Sequence, residues 1–265
     1  MAEKLSAVAK ILTPSPIQQL SLLAQRCNAV NLAEGFPDFP APPHIKNAAI
    51  SAIVSDFNQY RHVQGICDHV AKIMKHMHGL DFNPLTDIAI CCGQSEAFAA
   101  TMFATIDKGD EVILFDPSFE TYEACISMAG GIPCANSMIR DLNITINSED
   151  FFTGWRIGWA VAPACIASAI RNIHTKLTDS APAPFQEAAL TALRSPLEYF
   201  ESLRRDYESR RNYTIKLLAG VGFQVQFKPQ ADAYSKEKLD ELGETHCSLT
   251  THVKLKQVFV TLDDP

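Results

Sequence analysis

A chain of 265 residues, 47% hydrophobic and 20% charged, has the composition of an ordinary globular protein, long enough for one large core or two small ones. Its net charge of −7 works against a general attraction to nucleic acid or to an anionic membrane, since both need concentrated positive charge; small-molecule partners are expected instead. The eight cysteines, at 27, 67, 91, 92, 125, 134, 165 and 247, form no CxxC pair and read as buried, reduced thiols of a cytoplasmic protein, and no apolar run reaches signal-peptide or membrane-span length.

Residues 4–27 have the spacing of an amphipathic helical arm, interrupted by Pro14 and Pro16, and a proline-rich extended stretch follows from Phe36 to Pro43. Helical periodicity predicts helices over His44–Ser55 and Gly65–His78. The apolar run Asp87–Cys92 then ends in Gly93 and passes into the helical pattern Ser95–Ile106, a strand-turn-helix unit. Further on come a strand at Glu111–Phe115, a helix at Tyr122–Ala129 and a strand at Ile132–Met138. Such alternation argues for a layered α/β sheet. Ile139–Asp150 is polar without a period, Trp155–Val161 reads as a buried strand, 164–177 and 184–195 as helices, and Leu197–Leu218 as a long charged helix able to link two lobes. Gly222–Phe227 alternates like a strand, Ser235–Leu242 is a short helix and Val253–Leu262 a lone strand.

Several short motifs carry chemistry. Gly93 permits a tight turn after a strand, so that the amides of Gln94 and Ser95 can point from a helix N-terminus at a phosphate dianion, and Arg156 offers a planar fork for the same anion. Taken singly, Gly93 is a turn, Arg156 a surface or salt-bridged arginine, and Phe119 and Tyr60 core aromatics. Together and in this order, Asn31-Leu-Ala-Glu-Gly-Phe-Pro-Asp-Phe39, Asn58-Gln-Tyr60, Cys92-Gly-Gln-Ser-Glu-Ala97, Asp116-Pro-Ser-Phe-Glu-Thr-Tyr122, Thr153-Gly-Trp-Arg-Ile-Gly-Trp159 and Lys228-Pro-Gln230 resemble the class I/II aminotransferases, closest to the kynurenine, glutamine and methionine branch. The similarity covers roughly residues 12–138 and 153–230.

The resemblance implies pyridoxal 5′-phosphate as cofactor and transfer of an amino group between an aromatic, kynurenine-, glutamine- or methionine-like amino acid and a 2-oxo acid. It implies that Gly35 lies beside the substrate, that Gln94, Ser95 and Arg156 hold the cofactor phosphate, that Phe119 stacks on its ring, and that Tyr60 reaches the cofactor of a neighbouring subunit. In fold it implies an aminotransferase-type α/β large domain, a mixed and mostly parallel sheet flanked by helices, here incomplete, with a remnant of a small α+β domain. The expected division is an arm and substrate-side loop at 1–43, a truncated cofactor-binding domain at 44–195, and a small-domain remnant with a divergent tail at 196–265.

The same resemblance exposes what is missing. The family's Schiff-base lysine lies eight residues before the motif arginine, which is Ser148 here, and no lysine occurs between Lys108 and Lys176. That lysine both anchors the cofactor and moves a proton, and serine does neither at neutral pH. The family's asparagine, tyrosine and aspartate for the cofactor ring belong to an interval that this chain crosses with only Ile139–Phe152; Asp141 and Asp150 there read as solvated loop carboxylates. After Arg211 there is no arginine to fork a substrate carboxylate. An internal deletion with an altered tail after Gln230, as in an alternative transcript or a gene-model product, is expected to leave no catalytic residue and an inactive chain. Its alternatives are a non-catalytic partner in a homodimer or in a heterodimer with a full-length homologue, or an unstable product with unpaired strand edges. His69, His76 and His78 read as exposed histidines and not a metal site; Cys91-Cys92 reads as strand burial, and the alternating charges of 204–211 as an exposed, salt-bridged helix.

Overall fold

The periods read from the sequence reappear as elements in a computed structural model, which describes residues 4–29, 31, 33, 39–60, 64–116, 118–137, 154–220 and 222. In the arm, Ser6 caps α1 (Ala7–Ile11) by accepting from the Ala9 N–H, and Ser15 caps α2 (Pro16–Arg26) by accepting from the Gln18 N–H. Pro16 therefore begins the second helix, at a first-turn position whose backbone donor would have no intrahelical acceptor. Then follow α3 (Pro43–Val54), α4 (Gln64–His78), β1 (Ile88–Cys91), α5 (Gln94–Thr105), β2 (Glu111–Asp116), α6 (Glu120–Ala129), β3 (Ile132–Ser137), β4 (Gly158–Val161), α7 (Ala164–Leu177), α8 (Ala183–Leu193) and α9 (Leu197–Gly220).

The mixed sheet expected from the sequence is present as two strand pairs among the described residues. β2 and β3 run parallel, Glu111 opposite Ile132 and Asp116 opposite Ser137, with α6 as their crossover. β1 and β4 run antiparallel, Ile88 opposite Val161 and Cys91 opposite Gly158. The interval that would link the pairs, 138–153, lies outside the described residues, as do the expected elements after 222.

β1 is buried along its whole length, and its alternation sorts side chains onto two sides. Ile88 and Ile90 face a core built with Ile45, Ile66, Val70, Met74 and Leu190 from α3, α4 and α8, which Trp159 and Val161 of β4 join. Ala89 and Cys91 face a tighter, alanine-rich layer with Ala97 and Ala100 of α5 and Ala167 and Ile170 of α7. The other flank of α5 supplies Phe98 and Met102 to a third cluster with Tyr122, Cys125 and Ile126 of α6, against which Val112 and Leu114 of β2 pack. α5 is thus apolar on two sides because it is the wall shared by the two strand pairs. Two cross-ties fix the frame: Arg171 Nη1 donates to the carbonyls of Thr86 and Ile88 at 2.9 and 3.0 Å, pinning α7 to the start of β1, and the Ser15 hydroxyl donates to Glu120 Oε1 at 2.6 Å, pinning the arm to α6. Tyr199, Phe200 and Leu203 pack the first turns of α9 against the core of α3, α4 and α8.

Where β4 begins, its backbone lies on the turn between β1 and α5. A Cβ at Gly158 would fall on the Gln94 backbone nitrogen, inside any allowed contact, and 2.6 Å from the Gly93 carbonyl carbon. Both neighbours are backbone and cannot rotate away. Gly158→Ala is expected to cost about 2–3 kcal/mol, the upper part of the range for overpacking. Urea denaturation measures it, and a variant as stable as the parent would mean that strand and turn are not in contact.

Candidate functional site

β1 delivers the chain to a turn at which the Gly93 N–H donates to the Cys91 carbonyl at 2.8 Å and Gly93 takes φ +82°, a conformation that favours glycine. Gly93 is also the cap of α5 and has no side chain to satisfy the helix. The amides of Gln94 and Ser95 accordingly have no acceptor among the described residues and are open to water or to an anion. Arg156 comes to the same place from the turn before β4, in a left-handed conformation at φ +59°. Its Nη2 donates to the Cys92 carbonyl at 3.1 Å, and a Cβ on Gly93 would lie 2.9 Å from the guanidinium carbon. The exposed guanidinium thus covers the glycine turn, and among the described residues no carboxylate pairs with it. Free amides, a helix N-terminus and an unpaired guanidinium are what an oxyanion requires.

The side chain of Gln94 points the other way. It is buried, and Nε2 donates to the Tyr122 hydroxyl at 2.8 Å, so only its backbone faces the cup. Burial pushes the Tyr122 hydroxyl above its usual pKa, against the Gln94 hydrogen bond that lowers it. Phe119, at the cap of α6, stands edge-on to Tyr122 at 5.7 Å and is thereby tied through Tyr122 and Gln94 to the cup. Ser95 is partly exposed beside it. Tyr60 stands apart: it is 77% exposed in the bend after α3, not the core aromatic its type alone suggests. Gly35, Ser148, Asp141 and Asp150 lie outside the described residues.

Beneath the cup is a network that sequence reasoning did not find. Glu96 is the third residue of α5, where a glutamate side chain can reach back to the backbone before the helix. Its carboxylate accepts from the Cys92 N–H, from His174 Nδ1 at 2.9 Å and from the Thr178 hydroxyl at 2.8 Å. The side chains of His174 and Glu96 are 8% and 10% exposed. Burial raises the Glu96 carboxyl, but the hydrogen bonds from His174, the Cys92 amide and Thr178 outweigh it and hold the group below its usual pKa. Cys91 brings its sulfur into the same neighbourhood, the three donor atoms lying within 4.8 Å of one another. Burial raises the Cys91 thiol, and Glu96 and His174 already satisfy each other, so this trio is a hydrogen-bonded core and not a vacant ligand set. The available signal was His174 recurring with Ala167 and Ile170 on the apolar face of its helix.

Other residues singled out from the sequence fall as follows. His69 is not simply exposed: its Nδ1 pairs with the Gly65 carbonyl at 2.8 Å. His76 is exposed. Cys67, Cys91 and Cys125 are buried, whereas Cys27 and Cys165 are exposed, so burial does not account for every thiol. Cys92 is half-buried. Arg204 and Glu208 pair at 3.1 Å one turn apart on α9, as the alternating charges there predict.

The family model for aminotransferase class I and II matches residues 28–141 and 152–258. The chain belongs to this family. The match breaks between residues 141 and 152, and its second part runs on past Gln230 to residue 258, so likeness extends further into the tail than the motifs indicate. Among similar proteins, the kynurenine–oxoglutarate transaminase of Dictyostelium discoideum is 26% identical over 314 residues, covering 79% of this chain and 72% of that one. The methionine aminotransferase of Escherichia coli is 25% identical over 285 residues, covering 76% and 74%. The solved N-succinyldiaminopimelate aminotransferase of Mycobacterium tuberculosis shares the fold with a TM-score of 0.78 at 22% identity, covering 84% of this chain and 81% of its own. Pyridoxal phosphate is the cofactor of the aminotransferase family.

A depressed carboxyl makes stability depend on pH in one direction. Glu96 contributes fully above its unfolded value, near 4.5, and the contribution is lost as pH falls through the lower folded value. The unfolding free energy of the parent minus that of Glu96→Gln is therefore expected to shrink on acidification below pH 4.5 and to be flat above about pH 6. Denaturant melts of both proteins across that range measure it.

Proposed function

We propose that this chain is a catalytically silent aminotransferase homologue that retains the phosphate end of the cofactor site and lacks the groups that run the reaction. The observation that carries this reading is the cup itself: the free amides of Gln94 and Ser95 and the guanidinium of Arg156 converge on Gly93, in a chain with no lysine between Lys108 and Lys176. The cup fits a phosphate dianion by charge and donor type, with Phe119 as the aromatic on the cofactor side and Tyr60 as the residue offered to a neighbouring subunit. Pyridoxal phosphate, when bound, supplies the electron sink for amino-group transfer.

What the chain's own residues do ends at binding. Ser148, at the family's lysine position, carries a hydroxyl that is no base at neutral pH, and losing a general base costs typically ~10²–10⁴-fold in rate. The sequence offers no motif carboxylate for the ring nitrogen in Ile139–Phe152 and no arginine beyond Arg211 for a substrate carboxylate. By descent the substrates are an amino acid and a 2-oxo acid; relatives named for kynurenine and methionine support an aromatic or sulfur-containing amino acid, bound beside Gly35. No described helix is long and apolar enough to cross a membrane. The arm to residue 43, a truncated large domain over 44–195 and a small-domain remnant from 196 remain the proposed division.

A second reading, that the chain serves as the non-catalytic subunit of a dimer with itself or with a full-length homologue, is favoured by exposed apolar side chains: Leu20, Leu22 and Leu23 on α2, and Ile50, Ile53 and Val54 on α3. Obligate interfaces are built from such surfaces. Size-exclusion chromatography with mass detection after co-expression is expected to show a heterodimer; a soluble monomer that ignores the homologue refutes pairing, and aggregation alone favours an unstable product.

Two measurements test the main reading. Protein treated with pyridoxal phosphate and borohydride is expected to carry no cofactor within residues 109–175, and a stoichiometric adduct on one lysine together with transamination would sink the proposal. Arg156→Ala is expected to weaken pyridoxal phosphate binding about tenfold or more, since a charge-assisted hydrogen bond contributes roughly 1.5–3 kcal/mol.

A further inference from the structure

We propose that Glu96, seated by His174 and Thr178, is the positioning residue of the phosphate cup, holding the Cys92 peptide from below while Arg156 holds it from above. This inference rests on the cup proposed above. The peptide units on either side of Cys92 are gripped by two residues that come from different elements and show no bond to each other. The Cys92 N–H donates to the Glu96 carboxylate, and the Cys92 carbonyl accepts from Arg156 Nη2 at 3.1 Å. Immediately after it come Gly93 and the two amides that face the anion.

Those amides are left available because Gly93 has no capping side chain, and Glu96 directs its carboxylate to the peptide before them. A glutamate at the third position of a helix ordinarily caps the donor at the helix start. Here it reaches one residue further back, to Cys92, and so satisfies a donor at the strand end without occupying the Gln94 and Ser95 amides. Its other oxygen accepts from His174 and Thr178 of α7 and its exit, which fixes the carboxylate from a second element. The negative charge is thereby directed into the core, towards His174, and not into the anion site. His174 is held in turn: the Thr178 hydroxyl lies 3.1 Å from the same ring nitrogen. The turn that aims the amides is therefore set by α7, an element that contributes no donor to the cup.

The test uses the full-length chain and titrations with inorganic phosphate and with pyridoxal phosphate. Glu96→Gln keeps shape and one acceptor, whereas Glu96→Leu leaves the Cys92 N–H without one. Expected is a phosphate affinity within about threefold of the parent for Glu96→Gln and about tenfold weaker for Glu96→Leu. A role confined to folding would not couple to the cup. In a double-mutant cycle, Arg156→Ala is expected to cost about tenfold in the parent and less than about threefold in the Glu96→Leu background, because the amides it works with are already misaligned. Equal losses in both backgrounds overturn the proposal, as does Glu96→Leu binding like the parent. Should Glu96→Leu not fold, Thr178→Val, which removes a single exposed donor, is expected to weaken phosphate by about threefold with an unchanged melting temperature, and unchanged affinity overturns the proposal. A parent that binds neither phosphate nor pyridoxal phosphate overturns the cup itself, and this inference with it.

Discussion

The contact between Gly158 and the Gly93–Gln94 backbone is the constraint from which the rest of the arrangement follows. Two glycines meet where a strand, a turn and a helix start share one space, and no side chain fits between them. Because β4 runs antiparallel to β1, the residue opposite Cys91 is Gly158, and the register leaves no freedom in where β4 begins. Arg156, two residues earlier, is then carried over the turn, and its left-handed backbone aims the guanidinium at the Cys92 carbonyl. A left-handed conformation at a non-glycine residue costs energy, on the order of 1–2 kcal/mol. The packing of Gly158 is what holds it there.

α5 transmits that constraint. Its N-terminus carries the proposed cup and its body is buried on two flanks, so the direction of the helix is fixed by alanines against α7 on one side and by Phe98 and Met102 against α6 on the other. Two buried polar links run from its first turn into these neighbours, Gln94 to Tyr122 and Glu96 to His174. Buried polar groups are costly unless satisfied, and satisfied ones specify a single arrangement. The first turn of α5 is therefore specified from three directions at once, by α6, α7 and β4.

Much of this was legible in the sequence, for identifiable reasons. Helical spacing located α3, α4, α5, α7 and α8 to within a residue or two, because each has an apolar face or is apolar throughout and is bounded by proline, glycine or a polar turn. The short run Cys92–Ala97 marked the strand-turn-helix unit, since a glycine between a strand and a helix is most often a turn. Pairing was not legible. Periodicity tells which way a side chain faces and is silent about which strand lies alongside, so the antiparallel β1–β4 pair and the separation of the sheet into two pairs were found only in the structure. Glu96 and His174 are 78 residues apart, and each looks locally like an ordinary helix residue. The outward side chain of Tyr60 and the core-facing side chain of Gln94 depend in the same way on neighbours that no local pattern names.

The two strand pairs are not equally supported, and the difference bears on what a missing interval can remove. β1 and β4 are covered on both sides, by α3, α4 and α8 and by α5 and α7. β2 and β3 are covered by α5 and α6 on one side, while Ile113 and Ile132, which share the opposite face, are 66% and 50% exposed. On the proposed reading, an interval lost between β3 and β4 would remove neighbours from strands of which the better-covered pair, β1 and β4, carries the proposed cup. Gly93, Arg156, Gly158, Glu96 and His174 all belong to β1, β4, α5, α7 or the turns between them, and the Gln94–Tyr122 bond reaches across to the other half. On the proposed function, the anion-binding end of the site can outlast the loss of the catalytic groups, because among the described residues those that shape it are packed by elements on either side of 138–153.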